Sequence, residues 1–251
     1  AEIASFNREL HLQGLTEDLA SVPPVLSGAE VRAGIEALYR VIHGRELFRD
    51  DGLVADAAAH ATWVARMALG GLTKPVRVRY GFTVAFTNAR IIPTDEPLYE
   101  SPGDVEFDQV QNSGLDPGTP VVVLHESADG KWLFIKDGNA SGWVKRGNIA
   151  FAGRWVWLRH LRGRDSGVIV AARAPVYLDR GMRKPAAFVR MGTRLRIKHV
   201  ARHAVQVSYP LRHTDGTVRF VTAFVTPRDI IRGVLPYTQR MVFTQAFKLL
   251  D

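Results

Sequence analysis

A pair of nearby carboxylates is the first feature of this sequence whose residue types and spacing could do chemistry. Glu106 and Asp108 are separated by a single residue, and two carboxylates can act together as general acid and base. They lie in a long polar stretch, residues 95–117, which also contains Tyr99 and Gln111. Nothing in the sequence places a partner group opposite the two carboxylates, so the simpler interpretation is a solvated loop.

The composition of residues 95–117 also fits binding. Prolines and glycines interrupt this stretch, and a loop of such length in a compact domain is usually functional or docked on another domain. Tyr99, Phe107 and Gln111 mix aromatic and polar groups, which suits recognition of a polar ligand. A docked interdomain loop would have the same composition, so both interpretations stay open.

Other patterns for catalysis or metal binding are weak or missing. Of the eight histidines, only His199 and His203 have an i, i+4 spacing. They fall in a predicted strand and turn, where this spacing does not bring two rings to one face. Ser141-Gly142 and similar pairs are better explained as turns than as nucleophiles. The chain has no cysteine, phosphate loop or dinucleotide fingerprint, so we predict no catalytic residue, no metal site and no cofactor.

Residues 118–150 contain three short apolar strands separated by two tight polar turns, the pattern of an antiparallel meander. Asp129-Gly130 supplies one hairpin turn. Such short strands cannot bury a flat sheet, so they are predicted to curl into a small barrel. Trp132 and Trp143 lie on these strands, where a core position is more common than a ligand groove.

The region before residue 76 is predicted to be helical. Residues 1–26 are polar and are interpreted as an arm or linker. Ser27 with Glu30 forms a capping-box pattern, and apolar residues then recur at helical spacing as far as Gly44. A second helix is predicted from about Leu53 to Leu69, and the two helices would form a hairpin with one apolar face.

Strand-like alternation begins at Val76, and the design of the meander recurs downstream. The segment that starts at Gly192 echoes the one that starts at Gly118, an offset of 74 residues. We therefore predict two tandem small barrels in residues 76–234. Residues 151–166 are interpreted as a basic, aromatic connector, and residues 238–250 as a closing helix.

Charge is unevenly distributed along the chain. Residues 1–150 contain 14 Lys and Arg against 20 Asp and Glu, whereas residues 151–251 contain 19 Lys and Arg against 5 Asp. A basic half of this kind fits an anionic polymer, a nucleic acid or an acidic neighbouring surface. A solvated, arginine-rich surface explains the same numbers.

Several motifs together resemble the first bacterial SH3 (SH3b) domain of modular NlpC-type cell-wall cysteine peptidases. The motifs are Tyr80-Gly81, Arg90-x-x-Pro93-Thr94, Phe107-Asp108-x-x-Gln111, Gly118-x-Pro120-Val121-x-Val123-Leu124-His125-x-Ser127-x-Asp129-Gly130-x-Trp132 and Gly142-Trp143-Val144. The resemblance is specific in residues 80–150 and looser elsewhere.

The resemblance implies a mainly β (α+β) fold, in which a helical hairpin precedes two tandem SH3-like barrels and a C-terminal helix follows them. It implies a stabilising helical segment at 1–75, a first SH3b barrel at 76–152, a second at 153–236 and a linker helix at 237–251. In that family a papain-like domain follows and hydrolyses the γ-D-glutamyl–diaminopimelate bond of peptidoglycan stem peptides. Its catalytic cysteine and histidine have no matching positions here.

The resemblance therefore implies a supporting role, with a stem peptide and a papain-like catalytic domain of the same parent or a separate chain as partners. Loops of the first SH3b domain resemble walls at the ends of the catalytic groove. The residues expected to bind substrate or line that groove are Arg90, Tyr99, Glu106, Asp108, Gln111, Asp129 and Trp132. The implied location is the cell envelope or the secreted (periplasmic) space. No membrane span is expected, because no run of ~20 apolar residues occurs.

Two alternatives to this supporting role remain. The basic half and the aromatic pair Trp155 and Trp157 would suit a nucleic-acid-binding tandem barrel. Against nucleic acid, the arginines of 154–202 are not interleaved with aromatic residues that could stack on bases. The other alternative is an interaction module whose acidic and basic halves clamp each other.

Overall fold

The protein has a mainly β architecture in a computed structural model that describes residues 9, 17–163, 165–233, 235–236 and 238–250. Two seven-stranded antiparallel sheets, one two-stranded sheet and four α-helices account for the regular structure of these residues. Most of the predicted arm, residues 1–26, lies outside them.

The chain divides into two compact units. The first unit contains the described residues up to Gly81 together with Thr87–Leu115 and Pro120–Ile149. The second contains Phe82–Phe86, Asp116–Thr119 and the described residues from Ala150 onward. All strands of the second large sheet lie in the second unit.

Helix α1, Gly28–Tyr39, begins at the predicted capping box. The Ser27 hydroxyl accepts from the Glu30 amide at 3.1 Å, and the Ser27 amide donates to the Glu30 carboxylate at 2.8 Å. Val31 and Ile35 form its buried stripe. The helix ends five residues before Gly44, which has a positive φ of 83° and belongs to the turns that follow.

Helix α2, Ala57–Arg66, is shorter than the predicted 53–69 span. Asp56 caps it by accepting from the Ala59 amide at 2.9 Å, so the helix starts after this residue rather than at Leu53. At its other end, Ala68 has a left-handed φ of 54°, which ends the helical path. Trp63 is the large buried side chain of this helix.

The first large sheet has the strand order β5-β4-β8-β7-β6-β3-β9. A separate two-stranded sheet pairs β1 with β2. The bounds are β1 Val25–Leu26, β2 Val76–Arg77, β3 Arg79–Thr83, β4 Thr87–Arg90, β5 Gln111–Leu115, β6 Pro120–Glu126, β7 Trp132–Lys136, β8 Ser141–Lys145 and β9 Ile149–Ala152.

Two sequence-based expectations for this region need correction. The predicted polar loop 95–117 contains strand β5, which pairs with β4 along Thr87–Arg90. The predicted continuous strand run from Val76 is divided between β2 and β3. The Asp129-Gly130 turn is confirmed, since Gly130 has a φ of +66° between β6 and β7.

The second large sheet repeats the strand order of the first, as β12-β11-β15-β14-β13-β10-β16. Its strands are β10 Ser166–Ile169, β11 Arg173–Tyr177, β12 Pro185–Arg190, β13 Arg194–Val200, β14 Val205–Arg212, β15 Val218–Val225 and β16 Ile230–Arg232. Each strand number exceeds that of its counterpart by seven. The glycines before β6 and β13, Gly118 and Gly192, also share a positive φ of 92° and 90°.

Two helices accompany the second sheet. Helix α3, Arg154–Leu161, lies within residues 151–166, which were interpreted from the sequence as a basic, aromatic connector without an assigned helix. Its Trp157 is fully buried, whereas Trp155 is 85% exposed. Helix α4, Gln239–Phe247, is capped by the Thr238 hydroxyl and confirms the predicted closing helix. Phe243 and Phe247 of α4 are exposed.

Candidate functional site

The loop between β4 and β5, residues 91–110, is fixed at its base by the side chain of Arg90, and we call it the recognition loop. Arg90 Nη1 lies 2.7 Å from Asp108 Oδ2, and Nη2 donates to the Glu96 carbonyl at 2.8 Å. Their side chains are 7% and 19% exposed, so this is a nearly buried ion pair. Arg90 therefore ties the start of the loop to its end.

The other oxygen of Asp108 organises the loop backbone. Asp108 Oδ1 accepts from the Leu98 amide at 3.2 Å and from the Val110 amide at 3.0 Å. Two amides and a guanidinium thus use the acceptors of a single carboxylate. Arg90 and Asp108, both predicted as site residues, are brought together, and their geometry is that of a support for the loop.

Arg45, Phe48 and Asp50 contact the recognition loop from a neighbouring segment of the chain. Phe48 and Tyr99 exchange two backbone hydrogen bonds of 2.8 Å each. Arg45 Nη2 donates to Gln109 Oε1 at 3.1 Å. Tyr99 itself is buried, and its side-chain hydrogen bond with Asp50 raises the pKa of the phenol.

The tip of the recognition loop, residues 101–107, is exposed at every position. Phe107 is 69% exposed, and Val105 is also exposed. The Glu106 amide donates to Asp104 Oδ1 at 3.2 Å, a bond within the tip. The structure thus places the predicted site residue Glu106 on a free acidic and apolar tip, away from Arg90 and Asp108 along the loop.

A second supported segment is the hairpin turn 127–131, which contains the predicted site residue Asp129. Asp129 Oδ1 accepts from Ser127 Oγ at 2.6 Å and from the Lys131 amide at 3.0 Å. Slight burial raises the pKa of Asp129, but the hydrogen bonds from Ser127 and Lys131 and the charges of Arg66 and Lys131 outweigh it and lower the pKa. Asp129 is therefore a persistent anion.

Two cations that sequence reasoning missed link the recognition loop to this turn. Arg66 Nη1 donates to the Pro93 carbonyl at 2.9 Å, while its Nε lies 3.9 Å from Asp129 Oδ2. Lys145 Nζ lies 2.7 Å from Asp95 Oδ1 and 5.9 Å from the centre of the Trp132 ring. We call the surface formed by the recognition loop, the turn 127–131 and these two cations the loop–turn surface.

The remaining predicted residues occupy two different environments. Gln111 lies on β5 opposite Arg90 and is exposed. Trp132 is buried among the core residues of the first sheet. Arg66 ends a predicted helix and Lys145 follows Gly142-Trp143-Val144, but both make contacts with residues distant in sequence. Only the folded chain reveals those contacts.

The loop–turn surface has the chemistry of a binding site. It combines an apolar tip, fixed carboxylates and two cations, groups that orient a polar ligand. Among residues 17–163, 165–233, 235–236 and 238–250, no group of three or more His, Cys, Asp or Glu could hold a metal ion. No helix in this described part of the chain is long and apolar enough to cross a bilayer.

Comparison with known proteins matches one part of the chain to a family. Residues 97–145 match the profile of the SH3 domain of the SH3b1 type. The matched range begins inside the recognition loop and ends at Lys145, so it contains most of the loop–turn surface. No protein among the curated sequences matches the chain significantly.

One solved structure resembles the fold of most of the chain. It is a novel NlpC/P60 endopeptidase from Photobacterium damselae subsp. piscicida, with a TM-score of 0.64 and 20% sequence identity. The similarity covers 80% of this chain and 44% of that protein, so the chain corresponds to less than half of it. Residues 97–145 are therefore similar to SH3 domains of the SH3b1 type, and the resemblance of the chain to modular NlpC-type proteins is confirmed.

Proposed function

We propose that the loop–turn surface positions a peptidoglycan stem peptide for cleavage by an NlpC-type catalytic domain. One observation carries the proposal: the tip 101–107 is wholly exposed, while the base of the same loop is fixed by the Arg90–Asp108 pair. An exposed tip on a fixed base loses little conformational entropy when it binds a ligand. The match of residues 97–145 to an SH3b1-type domain supports a cell-wall role for this surface.

The charges of the surface complement those of a stem peptide, which carries both ammonium and carboxylate groups. Asp104 and Glu106 on the tip would bind an ammonium group. Arg66 and Lys145 at the base would bind a carboxylate by exchanging it for Asp129 or Asp95, which they contact in the free protein. Phe107 offers an exposed apolar ring against which the peptide can pack.

The residues expected from the sequence take two roles in this proposal. Glu106 and Gln111, which are exposed, would contact the ligand. Arg90 and Asp108 would act as positioning residues. The same positioning role is proposed for Tyr99 and Trp132, because their side chains are buried. It is also proposed for Asp129, because this carboxylate is hydrogen-bonded within its own turn.

The proposal extends to the domain plan. We infer a helical stabilising segment at 1–75 built on a helical hairpin, SH3-like barrels at 76–152 and 153–236, and a linker helix at 237–251. The equivalent order of strands in the two sheets supports this plan. The catalytic domain would belong to the same parent chain or to a separate one, and the proteins would act in the cell envelope or outside the cell.

Replacement of Glu106 by Gln tests the binding role. We expect affinity for a synthetic L-Ala-γ-D-Glu-diaminopimelate peptide to fall about fivefold, because an exposed charge-assisted contact contributes on the order of 1 kcal/mol. The measurement is isothermal titration calorimetry on the 251-residue chain. The matched control is Glu46→Gln, which removes an exposed carboxylate from the same unit but outside the loop–turn surface.

Equal affinity of the Glu106→Gln and Glu46→Gln variants would contradict the site. A turnover assay tests the supporting role separately. The chain alone should not cleave the peptide, whereas addition of an NlpC-type catalytic domain should give turnover that the Glu106→Gln variant lowers. Cleavage by the isolated chain would overturn the supporting role itself.

A further inference from the structure

The second sheet presents a row of cations on one face. Arg194, Arg196 and Lys198 alternate along β13 with Leu195 and Ile197, which pack in the core. Because side chains alternate between the two faces of a strand, Arg194 and Arg196 share the face opposite to the core. Lys198 lies at a register shift between Ile197 and His199, and its hydrogen bond to Thr222 places its ammonium group on the same face. Arg194 and Lys198 are exposed, and Arg196 is half-buried.

Hydroxyl groups from other strands of the sheet accept hydrogen bonds from two of these cations. Arg194 Nη2 donates to Ser166 Oγ at 3.1 Å, and Lys198 Nζ donates to Thr222 Oγ1 at 2.9 Å. Ser208 lies opposite Arg196 in one ladder and opposite Thr222 in the next. We call the three cations with these three hydroxyl residues the cation–hydroxyl face.

The charges of this face have no acidic counterpart. In the part of the chain that the structure describes, no carboxylate lies within 4.0 Å of the charged groups of Arg194, Arg196 or Lys198, although other arginines of the second unit have such partners. A hydroxyl orients a cation without neutralising it. The positive charge of Arg196 also acts on His160, because burial and this charge together lower the pKa of His160 to about 4.

The fold does not require this chemistry, because the equivalent strand of the first sheet lacks it. The register of β6 with β7 shifts between Val123 and His125, and that of β13 with β14 shifts between Ile197 and His199. The 74-residue offset therefore equates Arg196 with Val122 and Lys198 with Leu124. These two positions could have been apolar, since Val122 and Leu124 occupy them in the first sheet.

We propose that the cation–hydroxyl face binds a linear anionic polymer of phosphodiester-linked units without bases. Alternate residues of a regular strand are about 6.7 Å apart, which spaces Arg194 from Arg196, and Lys198 extends the row of charges past the register shift. Arginine, lysine, serine and threonine are the side chains that typically donate to phosphate oxygens. This inference goes beyond the stem-peptide site, which lies on the first unit, and does not depend on it.

The aromatic side chains near the face argue against a base-bearing polymer. Binding of single-stranded nucleic acid needs exposed rings on which bases stack. Phe220 instead stacks on His160, with ring centres 4.9 Å apart. The exposed Trp155 lies about 140° around helix α3 from His160, away from that stack.

Binding of poly(glycerol phosphate) to the 251-residue chain, measured by calorimetry at several salt concentrations, tests the proposal. The triple variant Arg194→Gln, Arg196→Gln, Lys198→Gln should bind at least about 30-fold more weakly at low salt, and its salt slope should fall by about 2. The matched control Arg180→Gln, Lys184→Gln, Arg202→Gln removes three exposed cations elsewhere in the second unit. It should lose less than about threefold.

Two further arms keep the test decisive. The conservative pair Arg194→Lys, Arg196→Lys retains the charges and should keep most of the binding, with circular dichroism confirming that each variant is folded. Equal losses in both triple variants, or no binding by the unmodified chain, would overturn the proposal. Tighter binding of an oligothymidylate would overturn it in favour of nucleic acid, and equal binding of a polyuronate would overturn the preference for phosphate.

Discussion

The corresponding faces of the two large sheets have opposite chemistry. In the first sheet, Val122 and Leu124 of β6 are buried, although they lie on the face opposite to the Val121–Val123 side of the strand. Lys136 on the next strand is paired with Glu17 at 3.0 Å. In the second sheet, the positions equivalent to Val122 and Leu124 are Arg196 and Lys198. One strand order therefore supports both a covered apolar face and an open cationic one.

The partners of the cations differ in the same way. In the first unit Arg90, Arg66 and Lys145 are all paired with carboxylates, and they fix loops. In the second unit Arg194 and Lys198 are held by hydroxyls. The comparison teaches that these first-unit cations have carboxylate partners within the chain, whereas Arg194 and Lys198, among the residues that the structure describes, have hydroxyl partners.

Exchange of the equivalent residues should have the largest effect. Val122→Lys places a charge in a fully buried position, so we expect the free energy of unfolding of the first unit to fall by about 5 kcal/mol. Arg196→Val, its counterpart, should change the stability of the second unit by less than about 1 kcal/mol. Urea denaturation followed by tryptophan fluorescence and circular dichroism measures both. Similar losses in the two variants would break the comparison.

The next largest effect concerns the ion pairs themselves. Arg90→Leu leaves the Asp108 carboxylate nearly buried without its cation, and we expect a loss of about 3 kcal/mol. Adding Asp108→Asn to the Arg90→Leu variant should restore more than about 1 kcal/mol of the free energy of unfolding, because interaction energies between contacting residues are of this order. The matched control Arg232→Leu removes an exposed pair with Asp165 and should cost less than about 1 kcal/mol. Equal costs for Arg90→Leu and Arg232→Leu would contradict a structural role for the first-unit pair.

The smallest of the three effects is the pH dependence that His160 gives to the stability of the second unit. The pKa of His160 is about 4 in the folded chain against 6.5 ordinarily, so the unfolded chain binds more protons between these values and stability falls as pH decreases through this range. Between pH 7 and pH 5 the contribution of His160 to the loss should be about 2 kcal/mol, and His160→Phe should remove that contribution. Urea denaturation at both pH values measures the difference. The same loss in the His160→Phe variant would show that another group is responsible.

Local signals explain why part of the fold could be predicted from the sequence. The capping box at Ser27 and the Asp129-Gly130 turn depend on residues a few positions apart, and the structure contains both. Strand β5 was missed because Gln111–Leu115 is polar and contains a glycine, and it is a strand only through pairing with β4. Helix α3 was missed because its arginines and tryptophans do not form a clear apolar stripe.

The site was harder to predict than the fold because its contacts join distant residues. Arg90 and Asp108 are 18 positions apart, and their types alone pointed to a ligand rather than to each other. Arg66 is 27 positions from Pro93, and no sequence pattern relates the two. The sequence indicated the residue types of the loop, but only tertiary packing determines which polar side chains find hydrogen-bond partners within the chain.

Arg66 has a consequence for how the loop–turn surface could change during evolution. The guanidinium of Arg66, at the end of helix α2, contacts both Pro93 of the recognition loop and Asp129 of the turn 127–131, so one side chain bridges these two segments. A substitution in the exposed tip 101–107 would change the groups offered to a ligand without changing the Arg66 contacts to Pro93 and Asp129. Under the proposed function, the distance between Pro93 and Asp129, and with it the size of the bound ligand, would depend on the length and tilt of helix α2.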